Sequence, residues 1–272
     1  VAAEAGVSVA TVSYALHGGK NVSQHTASAV RKAARKLNYQ ANISARNLKQ
    51  GSSKIIEIAV HELDLPYFFS KFSTVAAKIG RGYCPLVLQT GMNKQSVKDA
   101  VDAISNQLCD GIILNATGVN PRILKRLGAG RPTVLLDDCS REPVLDTVNT
   151  SNEARAYMAT CHLIEVGCRR ILMLGGDDTP LSDSPTALIN TRQLRYRGFR
   201  QALDEAGLCE MPAANIDVPE LVVEPGRVAA FAIAQRMETE AGAIDGVVCA
   251  SDSLALGLLR GLREQGIAVP EA

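Results

Sequence analysis

Cationic side chains are crowded into the start of this chain. Residues 1–50 hold seven Lys/Arg against one Asp/Glu, a net of +6, while the remainder holds twenty-two against twenty-seven, a net of −5. The overall charge of +1 hides this asymmetry. A basic head on an acidic body is the electrostatic footprint of a nucleic-acid-binding segment. The residues that run catalysis elsewhere are not spaced for it here. His61-Glu62 has no second histidine at zinc-protease spacing, and Gly6-Val7-Ser8-Val9 lacks the closing glycine of a nucleophile elbow. Gly128-Ala129-Gly130 follows a helical stretch rather than a strand, and Gly175-Gly176-Asp177-Asp178 lacks the rest of a dinucleotide fingerprint. The seven cysteines (84, 109, 139, 161, 168, 209, 249) are scattered and form no C-x-x-C, so neither a zinc site nor a redox pair is indicated. Most sit in apolar runs such as Leu108-Cys109 and Val248-Cys249, where cysteine acts as a small hydrophobe. No enzyme, metal or cofactor is expected. The cysteine usage fits a reduced, cytoplasmic chain, with no apolar signal region at its start and no run long enough to span a bilayer.

The basic head is built on a helical pattern. Val1, Ala2 and Ala5 mark one face of a first helix, which Gly6 breaks, because glycine enters left-handed angles without steric cost. Ser8 is placed to cap a second helix with its hydroxyl. Val12, Ala15 and Leu16 then recur at helical spacing and face inward, leaving Thr11, Ser13 and Tyr14 outward. A third helix from about Thr26 to Leu37 has Ala29, Val30, Ala33, Ala34 and Leu37 inside and Arg31, Lys32, Arg35 and Lys36 outside.

The segment from Ala5 to Leu16, with Asn21-Val22-Ser23, Leu37-Asn38-Tyr39 and Asn42 through Leu48, resembles the lactose-repressor and purine-repressor family of bacterial transcription regulators. A helix-turn-helix pattern alone is weakly specific; the four blocks at this spacing are far more so. The resemblance implies DNA contacts by Ser8, Val9, Ala10, Thr11, Ser13, Tyr14, His17 and Asn21, and by Asn42, Ala45 and Leu48 further on. Val9, Ala10 and Tyr14 match the family positions that reach base edges. The first two suit thymine methyls and the third can donate one bond. On the residues alone, Asn42 to Lys49 is a linker or a short helix that is marginal in isolation. The resemblance implies a hinge helix that orders on DNA, with Leu48 as the apolar wedge between base steps. Ala41 stands where the family usually has proline, so the stop before that helix is softer.

From Lys54 onward, strand and helix patterns alternate. Strands are expected at Ile55–Val60, Pro85–Gln89, Gly111–Asn115 and Thr133–Leu136, with helices from about Phe68 to Gly82, Ser96 to Leu108 and Pro121 to Leu127. A loop from Asp137 to Asp146, rich in charge and proline, leads to a second series. Its helices run from about Asn152 to Glu165, Arg192 to Ala206, Gly226 to Glu240 and Ser253 to Gln265, with strands at Arg170–Leu174 and Gly246–Ala250. Such alternation implies parallel sheets covered on both faces, in two halves dividing near Thr150. Ligands of such sheets bind at the carboxyl ends of the strands, here the cleft between the halves.

The body resembles the effector domain of the same family, which shares its fold with periplasmic sugar-binding proteins. Pro66-Tyr67-Phe68-Phe69, Asp110-Gly111-Ile112-Ile113-Leu114, Asn152, His162-Leu163-Ile164, Arg169-Arg170-Ile171, Arg195 with Gly198-Phe199, and Ala250-Ser251-Asp252 carry the likeness. It implies effector contacts at Arg195 and Asp252, a guanidinium fork and a carboxylate suited to vicinal hydroxyls or an acid group. Phe68 offers an apolar wall, and Asn115 and Asp137 close the third and fourth strands. Read without the family, Arg195 is a surface charge, Asp252 a helix cap, and His162 packs at a helix face. The family also implies residues before Val1 and strands past Ala272.

The expected fold class is α/β: an all-α helix-turn-helix head (1–40), a hinge (41–53), then two tandem doubly wound, periplasmic-binding-protein-like subdomains (54–150 and 151–272). The expected function is a sequence-specific DNA-binding transcription repressor controlled by a small molecule, a sugar or sugar derivative. The alternatives are a transport-type binding protein of the same fold and a corepressor-dependent nucleobase sensor. The implied partners are operator DNA, the effector and a second copy of the chain, forming a homodimer or further a tetramer, with no membrane.

Overall fold

The computed structural model describes the backbone of residues 1–17, 22–39, 51–60, 66–80, 82–89, 109–115, 119–183, 189–211, 213–239 and 244–270. Side chains are described for the same residues except 17, 66–69, 71–72 and 238–239. The expected helices at Asn42–Lys49 and Ser96–Leu108 therefore lie outside the described residues. The chain forms two compact units, Val1–Ser53 and Lys54–Ala272.

In the first unit, α1 (Ala2–Ala5), α2 (Val9–His17) and α3 (Gln24–Lys36) close over Val12, Ala15 and Val30, with Val1, Ala2, Ala5, Val7, Leu16, Val22 and Ala27 around them. Gly6 ends α1 at φ 63°, ψ 33°, the left-handed angles that let the chain reverse directly into α2. Ser8 Oγ accepts from Thr11 N at 3.1 Å, and Ser23 Oγ accepts from Thr26 N at 3.2 Å, so both longer helices start on a serine cap. Two inside/outside assignments change. Thr11 is half-buried, its hydroxyl bonded to Ser8 Oγ at 2.9 Å, instead of facing outward. Leu37 is 49% exposed, because α3 ends at Lys36 and Leu37, its C-cap at φ −91°, ψ 5°, has left the helical phase.

The second unit contains two parallel sheets. The first has the order β2-β1-β3-β4-β5, from β1 (Ile55–Val60), β2 (Cys84–Gln89), β3 (Gly111–Asn115), β4 (Thr133–Leu136) and β5 (Asp146–Val148). Alternation along the strands feeds two cores. Ile58, Val60 and Leu136 pack with Val75, Ala76 and Ile79 of α4 (Pro66–Ile79). Ala59, Ile112, Leu114 and Leu135 pack on the other face with Leu124 and Leu127 of α5 (Pro121–Gly128). The second sheet has the order β7-β6-β8, from β6 (Ile171–Leu174), β7 (Asn215–Ile216) and β8 (Gly246–Cys249). All four residues of the central β6 are buried, the continuous apolar run that a strand covered on both faces requires. Its cover is α6 (Asn152–Glu165), α7 (Thr191–Glu205), α8 (Val223–Thr239) and α9 (Asp252–Glu264).

Glycine sets how closely these helices pair. A Cβ on Gly198 of α7 would lie 2.1 Å from the Glu153 carbonyl of α6, and one on Gly257 of α9 would lie 1.9 Å from the Val223 carbonyl of α8. Either substitution forces the backbones apart and opens the core beneath.

Helix starts shifted where proline occurs. α4 begins at Pro66 rather than Phe68, and α8 at Val223 rather than Gly226, with Pro225 in its first turn. The missing N–H costs nothing there, since first-turn donors have no intrahelical partner. β5 and β7 were not expected: both are short, polar edge strands without an apolar run. His162, expected to pack at a helix face, is exposed near the end of α6. Among the described residues no helix is long and apolar enough to cross a membrane.

Candidate recognition helix and effector site

α2 presents an outward face. Val9 is 77% exposed and Tyr14 58%, and Ser8, Ala10 and Ser13 are exposed beside them. The side chains of His17 and Asn21, and Asn42, Ala45 and Leu48 altogether, lie outside the described residues. Arg31, Lys32, Arg35 and Lys36 are exposed along α3. Glu4, the single acidic residue of the first fifty, pairs with Lys36 at 2.6 Å, which holds its carboxyl below the usual range. Its negative charge is thus spent inside the head, tying α1 to α3, and the surface field is left positive.

In the second unit, polar side chains gather where the strands end. Asn115 closes β3 and is 3% exposed, and Asp137 follows β4 and is 7% exposed. Asp137 takes a left-handed φ of 55°, uncommon for a non-glycine residue and held here by a local constraint. That constraint is visible: its N–H donates to the Val148 carbonyl at 3.1 Å, and its Oδ1 accepts from Thr150 Oγ1 at 2.9 Å. Arg195, half-buried on α7, is no free surface charge. Its Nε donates to Asn152 Oδ1 at 3.0 Å and its Nη1 to the Ala250 carbonyl beyond β8.

Cys139 reports that these groups share one electrostatic neighbourhood. Burial, then the Asp137 and Asp138 carboxylates, push its thiol up to about 11, while the Arg195 guanidinium pulls the other way. At neutral pH it is a thiol and a poor nucleophile. Asp252 stands apart in character. It is exposed in the first turn of α9, and the cap of that helix is Ser251, whose Oγ accepts from Leu254 N at 3.1 Å. The Phe68 side chain lies outside the described residues.

Sequence reasoning missed three polar contributors. Asn152 is 4% exposed and bonds Arg195 directly. Asp138 is buried and accepts from Ser140 N and Oγ at 3.1 and 2.9 Å. Arg192 donates to the Gly175 and Gly176 carbonyls at 2.8 and 3.1 Å and pairs with Asp217. The Asn152 and Arg192 contacts span 16 or more residues of sequence, which no local pattern encodes, whereas Asp138 and Ser140 lie two residues apart. A groove of about 550 Å³ follows the crossover, the segment 149–151 that leads from β5 into α6, and is lined by Asp138, Cys139, Asn149, Asn152, Tyr157 and Gln201 among others. Asn115, Asp137 and Arg195 do not line it; Asn152 belongs to both places.

Comparison with known proteins agrees with this anatomy. Residues 1–42 match the family described as bacterial regulatory proteins, lacI family, and residues 53–272 match periplasmic binding proteins and sugar binding domain of LacI family. The chain is 29% identical over 274 residues to the HTH-type transcriptional repressor PurR of Haemophilus influenzae, covering all of this chain and 77% of that one. It is similar to the transcriptional regulator CelR–cellobiose complex at 26% identity and a TM-score of 0.65, covering 99% of this chain and 78% of that one. The Lac repressor dimer bound to operator and the anti-inducer ONPF shares the fold at a TM-score of 0.79, with 23% identity and coverage of 99% and 78%. The family matches reach both compact units, and the chain belongs to the lacI family of bacterial regulatory proteins.

Proposed function

We propose that this protein is an operator-binding repressor whose DNA affinity is set by a small polar effector held around Asn115, Asp137 and Arg195. The observation that carries this reading is the clustering of buried and half-buried polar side chains at strand ends, in the same chain as an exposed, cation-flanked recognition helix. A polar ligand entering such a site exchanges water for preset donors and acceptors, and so can discriminate between conformations. The effector class we favour is a neutral sugar or sugar derivative, since Asp137 and Asp138 offer acceptors for hydroxyls and Arg195 offers donors. The cellobiose in one relative supports this choice. A nucleobase corepressor is the second reading, supported by the PurR-named relatives.

On DNA, a homodimer would set two α2 helices in successive major grooves, with Val9, Ala10, Ser13 and Tyr14 towards base edges and Ser8 and Thr11 locked as the cap behind them. The hinge contacts of Asn42, Ala45 and Leu48 and the roles of His17, Asn21, Phe68 and Asp252 remain part of the proposal on the family resemblance alone. Regulation rather than catalysis is supported by the relatives, which are named as transcription regulators. The reading places the protein in the cytoplasm, where its DNA is. The test is a gel shift with genomic fragments at rising salt. A repressor enriches a near-palindromic sequence and weakens steeply with salt. Absence of any salt-sensitive DNA binding points to a transport-type binder instead.

A further inference from the structure

Asn152 and the Ala250 carbonyl both hold Arg195, and the first of them has no role so far. Asn152 begins α6 and is buried. Its Oδ1 accepts from Arg195 Nε at 3.0 Å, and its Nδ2 donates to the Thr150 carbonyl at 3.1 Å. These two bonds fix which way the amide points. Turned over, it would set N–H against guanidinium N–H and oxygen against a carbonyl. The network continues in both directions: Thr150 Oγ1 donates to Asp137 Oδ1 at 2.9 Å, and Arg195 Nη1 donates to the Ala250 carbonyl. A line of hydrogen bonds thus runs from the end of β4, along the crossover, through α7 to the end of β8.

We infer that Asn152 is a positioning residue for Arg195. A guanidinium is planar, so one bond at Nε and one at Nη1 together define its plane and its rotation about the side-chain axis. With Asn152 removed, one of these tethers is gone, and Nε is left half-buried without that acceptor. The side chain regains rotamer freedom that effector binding must then remove again. Asn152 needs no contact with the effector to act this way. It also makes the orientation of Arg195 depend on Thr150, in the segment that leads from the first sheet into α6 and the second.

The functional weight of this inference rests on the proposed role of Arg195, so the test is one that needs no effector. The full chain, labelled with ¹⁵N in its arginine side chains, reports hydrogen exchange at each Nε–H. Arg192 is the internal control, since its Nε donates to the Gly175 carbonyl at 2.8 Å from the same helix. Asn152→Ala is expected to speed exchange at Arg195 at least tenfold and leave Arg192 unchanged. Asn152→Asp, which keeps an acceptor, is expected to restore slow exchange at Arg195. If Asn152→Ala does not fold, Asn152→Ser, too short to reach Nε, carries the same expectation. Unchanged exchange at Arg195 overturns the inference, and so does a parallel rise at Arg192, which marks general loosening of α7. Either result stands whether or not a sugar is later shown to bind.

Discussion

The side chains assigned to DNA and those assigned to the effector live in opposite surroundings. On α2, Val9 and Tyr14 project into solvent, and the neighbouring helix carries four exposed cations. At the strand ends and the start of α6, Asn115, Asp137 and Asn152 are almost wholly covered, and Arg195 is tied to Asn152 and to the Ala250 carbonyl. The difference follows from the size of what each would bind. A duplex is a large polyanion that supplies its own surface, so its reader needs reach and charge. A small molecule has few atoms with which to repay ordering, so its site must be ordered beforehand. The head is accordingly a small core under a functional skin, and the body is a large core with a few polar groups built in.

The harshest way to break the comparison is to remove the head and ask whether the body notices. Val30 is fully buried at the centre of the small head core. Val30→Asp buries a carboxylate without a partner, a cost of several kcal/mol that rivals the whole stability of so small a unit. Operator binding should vanish in a gel shift while the main calorimetric transition, from Lys54–Ala272, stays in place. Loss of both transitions together would mean that the two units are not independent.

The next test bears on the skin alone. Changing Val9, Ala10 and Tyr14 together should alter the DNA sequence recovered by selection, each wrong base pair costing about 1–3 kcal/mol, with melting temperature almost unchanged. An unaltered selected sequence would place recognition elsewhere.

A third test belongs to the body. Among the described residues neither carboxylate oxygen of Glu57, buried on β1, has a partner at hydrogen-bond geometry, and burial raises its pKa, against smaller opposing effects of the neighbouring Cys109 thiol and Arg131. A group with a raised folded pKa contributes stability that is full below its unfolded pKa and lost as pH rises through the folded value. The body transition should therefore fall as pH rises above the ordinary glutamate range, and Glu57→Gln should flatten that slope. Equal slopes in both proteins would show that Glu57 does not titrate in this way. The smallest effect is expected at the caps: Ser8→Ala or Ser23→Ala should cost the head about 0.5–2 kcal/mol, read as a lower unfolding midpoint of that unit.

Much of this contrast is legible in the residues alone. The head rests on short-range rules: Gly6 for the reversal, Ser8 for the cap, and Val12 with Ala15 at helical spacing. The parallel order of the body follows from apolar runs such as Ile171–Leu174 alternating with helices. What was not legible are contacts whose partners lie far apart along the chain. Arg195 finds Asn152 43 residues away and Ala250 55 residues away, and no periodicity announces either. Asp252 shows the converse. The family resemblance singles it out as an effector contact, while in the fold it is exposed in the first turn of α9, where a carboxylate also suits the helix dipole, so its role rests on the proposal alone.

The central claim is that the two environments are coupled: what the covered site holds changes how the exposed helix binds. It is tested most directly by titrating the selected operator at fixed salt and following fluorescence anisotropy. Each titration is run alone and with each member of a panel of mono- and disaccharides, sugar acids and nucleobases, on the wild-type chain and on Arg195→Ala. At least one compound should shift operator affinity by about 5–150-fold in the wild type. The same compound should leave Arg195→Ala unmoved, though the variant still binds the operator. A wild-type chain whose operator affinity ignores the whole panel, or an Arg195→Ala variant that responds as fully as the wild type, would contradict the account.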